Sequence, residues 1–356
     1  MKWEKVKLGD IATCIQPGPF GSQLHNSDYS KEGTPIIMPK DIVGGAIVHS
    51  GLLKVSEEHV KRLSRHQVYE GNLMVARKGD VRKCAYITAN ENGWMTGSDC
   101  LKVVLDESKC YPKFIYYQLR SEHIGRWLEK VSIGATMPSL NTGLLSGIEM
   151  VLPPIEIQKQ IAGILSAYDD LIENNQKQIK LLEEAAQRLY KEWFVDLHFP
   201  GHENTKIVDG VPEGWKKQKL VDIADVQYGF AFDGKCFNNQ RSGTPIIRIR
   251  NIPDGTTSDY TTESADSRYV VHNGEIVVGM DGEFHINTWN GEDAYLVQRT
   301  CCIRPTDKAL NGWLLYAIYE PIKFYEKTVV GSTVAHLGKK HVDTIELLTS
   351  PSSLYK

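Results

Sequence analysis

Along most of the chain the apolar positions come in short runs rich in β-branched residues. "TPIIM" (34–38), "NLMVA" (72–76), "CAYIT" (84–88) and "CLKVVL" (100–105) are such runs, broken by glycine, asparagine and aspartate turns. Runs of that length between turn formers predict strands. The period then changes. "PKFIYYQLRSEHIGRWLEKV" (112–131) and "NGWLLYAIYEPIKFYEKTVV" (311–330) carry helical spacing. Between them, residues 153–194 hold a third pattern. Ile161, Leu165, Tyr168, Ile172, Asn175, Ile179, Leu182, Ala186, Leu189 and Trp193 alternate four and three apart, a heptad seam. Glu173–Lys177 and Glu184–Arg188 decorate the outside at i,i+4. A helix over 161–195 would run about 50 Å at roughly 1.5 Å per residue.

The chain also repeats itself. "WEKVKLGDIATCIQ" from Trp3 matches "WKKQKLVDIADVQY" from Trp215, and "EGTPIIMPKDI" (32–42) matches "SGTPIIRIRNI" (242–252). "GNLMVARKGD" (71–80) aligns with "GEIVVGMDGE" (274–283), and "GATMPSLNTGLLSGIEMVLPP" (134–154) with "GSTVAHLGKKHVDTIELLTSP" (331–351). The spacing between copies shrinks from block to block, so loops shortened while strand order survived. This pattern predicts two homologous, mostly-β domains of α+β class in tandem, each closing with a helix or two, separated by a long coiled-coil-type helix. An amphipathic rod with such a seam requires a partner for its stripe. Asn175 is the one polar residue on the seam; it is either solvated or a buried register-setter against a second helix.

Composition narrows the class. The chain has 356 residues, 41% hydrophobic and 24% charged, which is ordinary for globular proteins. It contains no run of about 18 apolar residues, so no membrane span is expected, and its charged N-terminus suggests a cytoplasmic protein. Its seven cysteines are scattered without a CxxC, so reduced thiols are expected and no metal site. The net charge of −3 argues mildly against nucleic acid, but local clusters decide that question. "KRLSRH" (61–66), "RKGDVRK" (77–83), "RSGTPIIRIR" (241–250) and "GKKH" (338–341) are such clusters. Catalytic signatures are missing: no phosphate-binding GxxxxGK[ST] loop, no GxGxxG after a strand, no HExxH and no GxSxG. "GMDGEFH" (279–285), with Asp281, Glu283 and His285, reads as an ordinary polar turn. No catalysis by this chain is expected.

The two homologous domains, the block "GATMPSLN…IEMVLPPIEIQKQIAGIL" and the rod ending "RLYKEWFVDLHFPG" together resemble specificity subunits of type I restriction–modification enzymes. "QPGPFGSQLHNSDYSKEGTPII" (16–37) resembles the opening of that family's target recognition domains. The resemblance covers nearly the whole chain. It implies target recognition domains at 1–154 and 199–356, flanking a central helical spacer at 155–198. It also implies that each domain reads one half of a split site in double-stranded DNA. The helix would set their spacing, about one and a half duplex turns, and would dock the adenine-methyltransferase subunits. A motor–nuclease subunit completes such complexes. S-adenosylmethionine, ATP and Mg are expected on those partners and no cofactor on this chain.

Specificity is expected on loops held by a rigid scaffold. In the first domain the candidates for DNA contact are Phe20, Ser22, Gln23, Lys40, Arg77, Lys78, Thr136, Ser139 and Asn141. In the second they are Arg248, Arg250, Asn251, His336, Lys339 and Lys340. Family members carry a second long helix after the second copy, whereas this sequence ends at residue 356. The seam is therefore expected to pair in trans, with a second copy or with a methyltransferase subunit. The competing expectation is an S-like scaffold that binds subunits without reading DNA.

Overall fold

The computed structural model describes residues 3–132, 138–328, 335–351 and 354. Two compact units divide the chain within the long helix, at 1–177 and 178–356.

In the first unit, Ala12–Pro17, Cys100–Leu105, Leu73–Ala76 and Cys84–Tyr86 lie side by side in that order, all antiparallel. A second sheet orders Met95–Thr96, Thr34–Ile37, Leu53–Val55 and Tyr29–Ser30, with its first pairing parallel. Glu4–Lys7 pairs with Glu149–Leu152. The second unit repeats this plan. Ala224–Tyr228, Thr300–Pro305, Ile276–Gly279 and Ile286–Thr288 form its central sheet. A five-stranded sheet again contains one parallel pairing, Thr244–Ile247 with Ala294–Leu296. Lys216–Lys219 pairs with Glu346–Thr349. The predicted helical stretches become Pro112–Leu119 and Glu122–Val131, then Asn311–Ala317 and Tyr319–Thr328.

The inner strands of each central sheet, Cys100–Leu105 and Leu73–Ala76 in one unit and Thr300–Pro305 and Ile276–Gly279 in the other, are buried on both faces, so they read as continuous apolar runs rather than as alternations. Leu101, Val103 and Leu105 pack with Phe114, Ile115 and Leu128 on the helical side, while Cys100 packs with Ile37, Met74 and Ala85 on the other. Likewise Cys301 and Ile303 face the helices, and Cys302 faces Ile247 and Trp289. Burial pushes the thiols of Cys84 and Cys301 up to about 12. Lys102 is the polar exception on its strand. Its ammonium donates to the carbonyls of Arg65 and Gln67 at 2.6 and 2.8 Å, and burial pushes its pKa down.

The central helix runs Ile155–Tyr190 and ends in a wider π turn, Lys191–Val195. It starts before the seam, where Pro154, just ahead of the first helical residue, accepts the amides of Ile157 and Gln158 at its carbonyl. Gln158 is 1% exposed and fully bonded: Nε2 donates to Pro153 O at 2.8 Å and Oε1 accepts from Tyr111 N at 2.9 Å. Ala162 is buried beside it, Ile161 packs on the same core, and Tyr117 donates to Asp169 at 2.7 Å. In the second unit, Tyr190 stacks on Phe194 and Tyr316, and Phe194 lies against Trp215 and Trp313.

The seam therefore divides. Ile161 and Trp193 at its ends are half-buried within their own units. Leu165, Tyr168, Ile172, Ile179, Leu182 and Leu189 are exposed, from 39% at Leu165 to 70% at Leu182. Asn175 and Ala186 are exposed with them.

Gln158→Ala should lower the unfolding free energy of the first unit, read from its urea transition, by about 1–3 kcal/mol, because Tyr111 N–H would lose its buried acceptor. Burial, and next the Arg65 guanidinium, push the His66 pKa down to about 4 from the ordinary 6.5. Arg65 Nε also donates to its Nε2 at 3.0 Å, which requires a neutral ring. A lowered folded-state pKa gives a contribution that is complete above about pH 6.5 and is lost as pH falls toward 4. Urea midpoints should drop through that window, and a His66→Gln variant should show a flatter profile.

Candidate nucleic-acid interface

Four loops meet at one end of the first central sheet. Leu73–Ala76 runs into Arg77, whose N–H donates to Asp99 O at 2.7 Å and whose carbonyl accepts from Leu140 N at 2.8 Å. Gly79 N donates to Pro138 O at 3.1 Å, and Gly18 N donates to Cys100 O at 3.1 Å. Gly18 is required there, since a Cβ would stand 2.0 Å from Gly97 O.

This main-chain clamp gathers four of the predicted contacts. The Arg77 guanidinium lies over the exposed Phe20 ring, 5.7 Å from its centroid. Lys78 pairs with Asp99 at 3.0 Å, and its backbone bridges to Ser139.

Other first-unit candidates have structural occupations. Asn141 Oδ1 caps the helix Thr142–Ser146 by accepting Leu144 N at 2.8 Å. Gln23 is half-buried and its carbonyl accepts from Arg62, while Ser22 is exposed. Lys40 pairs with the buried Asp41 at 2.6 Å. Thr136 lies outside the described residues.

The second unit has the same clamp with different side chains. Met280 N donates to Arg299 O at 2.9 Å, Leu337 N to Met280 O at 2.8 Å, Gly282 N to Ala335 O at 3.0 Å and Gly229 N to Thr300 O at 3.0 Å. Arg77 is thus replaced by the buried Met280, and Ser139 by His336. The ion pair keeps its place with its signs exchanged: Lys78–Asp99 becomes Asp281–Arg299, at 3.4 Å. His336 Nδ1 lies 2.5 Å from Asp281. Lys339 and Lys340 are exposed on the short helix Lys339–Val342 that follows.

Three further candidates in this unit belong to another turn. The Arg248 guanidinium lies over Phe237 at 5.4 Å, and Arg250 forks onto Asp259 at 2.5 and 3.1 Å. Asn251 is buried, accepting Arg248 N at 2.9 Å and donating to Asp259 at 3.2 Å. Asp41 does the same for Met38 N in the first unit. Asn251 is therefore a turn-closing residue rather than an open adenine reader.

Sequence reasoning missed Asp99, Asp281 and Arg299 as members of these clusters. The signal was present in the aligned copies, where Lys78 falls opposite Asp281 with opposite charge. The other basic clusters are partly neutralised. Arg82 pairs with Glu122 and Glu129, and Lys83 donates to Pro39 O. Among the described residues no three His, Cys, Asp or Glu side chains gather as a metal cage. None of the described helices is long and apolar enough to cross a membrane.

Asn251→Ala should cost about 1–3 kcal/mol in thermal unfolding through its orphaned partners. Any sequence preference in DNA binding should be unchanged in that variant.

The family model for the type I restriction modification DNA specificity domain matches residues 1–184 and 212–352. The MjaIX specificity subunit of a type I restriction enzyme from Methanocaldococcus jannaschii is 26% identical over 276 residues, covering 75% of this chain and 62% of that protein. The EcoBI specificity subunit from Escherichia coli is 32% identical over 131 residues, covering 36% of this chain and 28% of that protein. The chain thus spans less than two thirds of the length of either relative. The crystal structure of a type I restriction-modification S subunit from M. genitalium shares the fold, with a TM-score of 0.58 at 15% identity over 99% of this chain and 86% of that one. With both units matched, the chain belongs to the type I restriction modification DNA specificity family.

Proposed function

We propose that the chain selects the DNA sequence at which a type I restriction–modification complex acts, each unit reading one half of a bipartite site. The observation that carries this reading is the shared main-chain clamp, which presents unlike side chains in the two units. Phe20, Arg77 and Lys78 stand at it in one unit, and Arg299 and His336 in the other. A fixed scaffold with variable exposed polar groups is what base-edge recognition requires. Cations at and beside the clamps supply phosphate attraction that the overall charge of −3 conceals.

The central helix sets the length of the unread spacer, and its exposed apolar stripe docks the adenine-methyltransferase subunits. A motor–nuclease subunit completes the restriction complex. S-adenosylmethionine, ATP and Mg are bound by those partners. The same stripe offers a surface for self-association through the helix, with Asn175 at its middle.

Fluorescence anisotropy with duplex DNA should show binding that weakens steeply with salt. Replacing both Lys339 and Lys340 by alanine should reduce the log–log salt slope by roughly 1–2, equally for all sequences. Co-expression with the methyltransferase subunit, followed by long-read detection of modified adenine, should return a split motif. A chain that binds its partners yet directs no new methylation would contradict the proposal and favour a scaffold role.

A further inference from the structure

The clamp of the second unit holds a side-chain group that packing does not explain. Arg299 has φ +70°, a left-handed conformation that non-glycine residues avoid and that structures retain at functional positions. Its side chain is 57% exposed, so the strain is not compensated by burial. Arg299 Nε stands 3.4 Å from Asp281 Oδ2, and its Nη1 stands 3.3 Å from His336 Nδ1. Asp281 Oδ1 is 2.5 Å from that same Nδ1. A ring that donates Nδ1–H to this carboxylate has Nε2 as its acceptor, and Arg299 Nη1 then lies beside Nδ1 as a neighbour rather than as its hydrogen-bond donor. The ring is 46% exposed and the carboxylate 27%. A guanidinium fork and an imidazole acceptor thus sit side by side at the surface, braced by one acid.

We propose that Arg299 and His336 read a G·C base pair in the half-site of the second unit, with Asp281 as the positioning residue. This rests on the reading that each unit contacts DNA through its clamp. In the major groove guanine presents O6 and N7, two acceptors for the guanidinium, and its cytosine presents the N4 amino group, a donor for Nε2. An A·T pair sets the adenine N6 amino group beside N7, so the fork would meet a donor and lose one bond. The first unit has a single ammonium, Lys78, paired with Asp99 and next to Ser139 at the equivalent place. The two half-sites are therefore read by different chemistry, and the site is asymmetric.

The test uses the full chain co-expressed with its methyltransferase subunit, with modified-base sequencing for wild type and for Arg299→Ala, Arg299→Lys, His336→Ala and Asp281→Asn. Arg77→Ala identifies the half-site of the first unit. In the Arg299 variants, discrimination at one G·C position in the other half-site should fall roughly 5- to 150-fold, the worth of a bidentate contact. His336→Ala and Asp281→Asn should relax the same position to a smaller extent. Should Arg299→Ala abolish methylation outright, Arg299→Lys decides, because it keeps the charge and removes the fork. An unchanged motif in Arg299→Lys overturns the inference, as does relaxation at an A·T position or in the half-site that Arg77→Ala alters. A wild-type motif that ignores Arg299 leaves half-site reading intact, whereas no wild-type motif at all overturns both.

Discussion

What each unit can present depends on hydrogen bonds that no side chain enters. Arg77 and Met280 make the same two main-chain contacts, to Asp99 and Leu140 in one unit and to Arg299 and Leu337 in the other. The amides of Gly18 and Gly229 join the same network, and a Cβ on either would stand 2.0 Å from a carbonyl oxygen. Because the backbone alone closes the loops, a buried methionine and a half-buried arginine can occupy one position without altering the path of the chain. Buried main-chain groups must find partners in any fold. Here that obligation also aims the loops.

The central helix answers a different constraint. Helices in proteins draw most of their stability from tertiary packing rather than from propensity. Gln158 supplies an anchor at its start by satisfying Tyr111 and Pro153 at once. Its end is held by aromatic packing of Tyr190 and Phe194 among Tyr316, Trp215 and Trp313. Between these anchors the apolar stripe from Leu165 to Leu189 stays in solvent. That much exposed apolar side chain on one element is what the proposed docking of partner subunits would cover.

Much of the architecture was legible in the sequence, for identifiable reasons. The repeat could be seen because "GTPII" and the tryptophans at 3 and 215 survive in both copies, and strand runs stood out because sheets buried on both faces use continuous apolar residues. Arg77 and Phe20 drew attention as candidates because basic and aromatic residues flank glycine turns there, and the structure sets them side by side. Asn251 misled, since an asparagine that closes a turn and one that reads adenine have the same composition and similar surroundings. Arg299 escaped notice because its meaning lies in Asp281 and His336, which are distant in sequence and meet it only through the clamp.

The exchanged ion pair carries a consequence for how such a chain changes over generations. Lys78 faces Asp99 at 3.0 Å, and Arg299 faces Asp281 at 3.4 Å. Reversing one member alone sets like charges a few ångströms apart and disfavours the loop that holds them. Passage from one arrangement to the other therefore runs through a disfavoured single mutant or through two changes inherited together. Recombination of whole domains avoids that barrier, because both partners of each pair lie within one domain and travel with it.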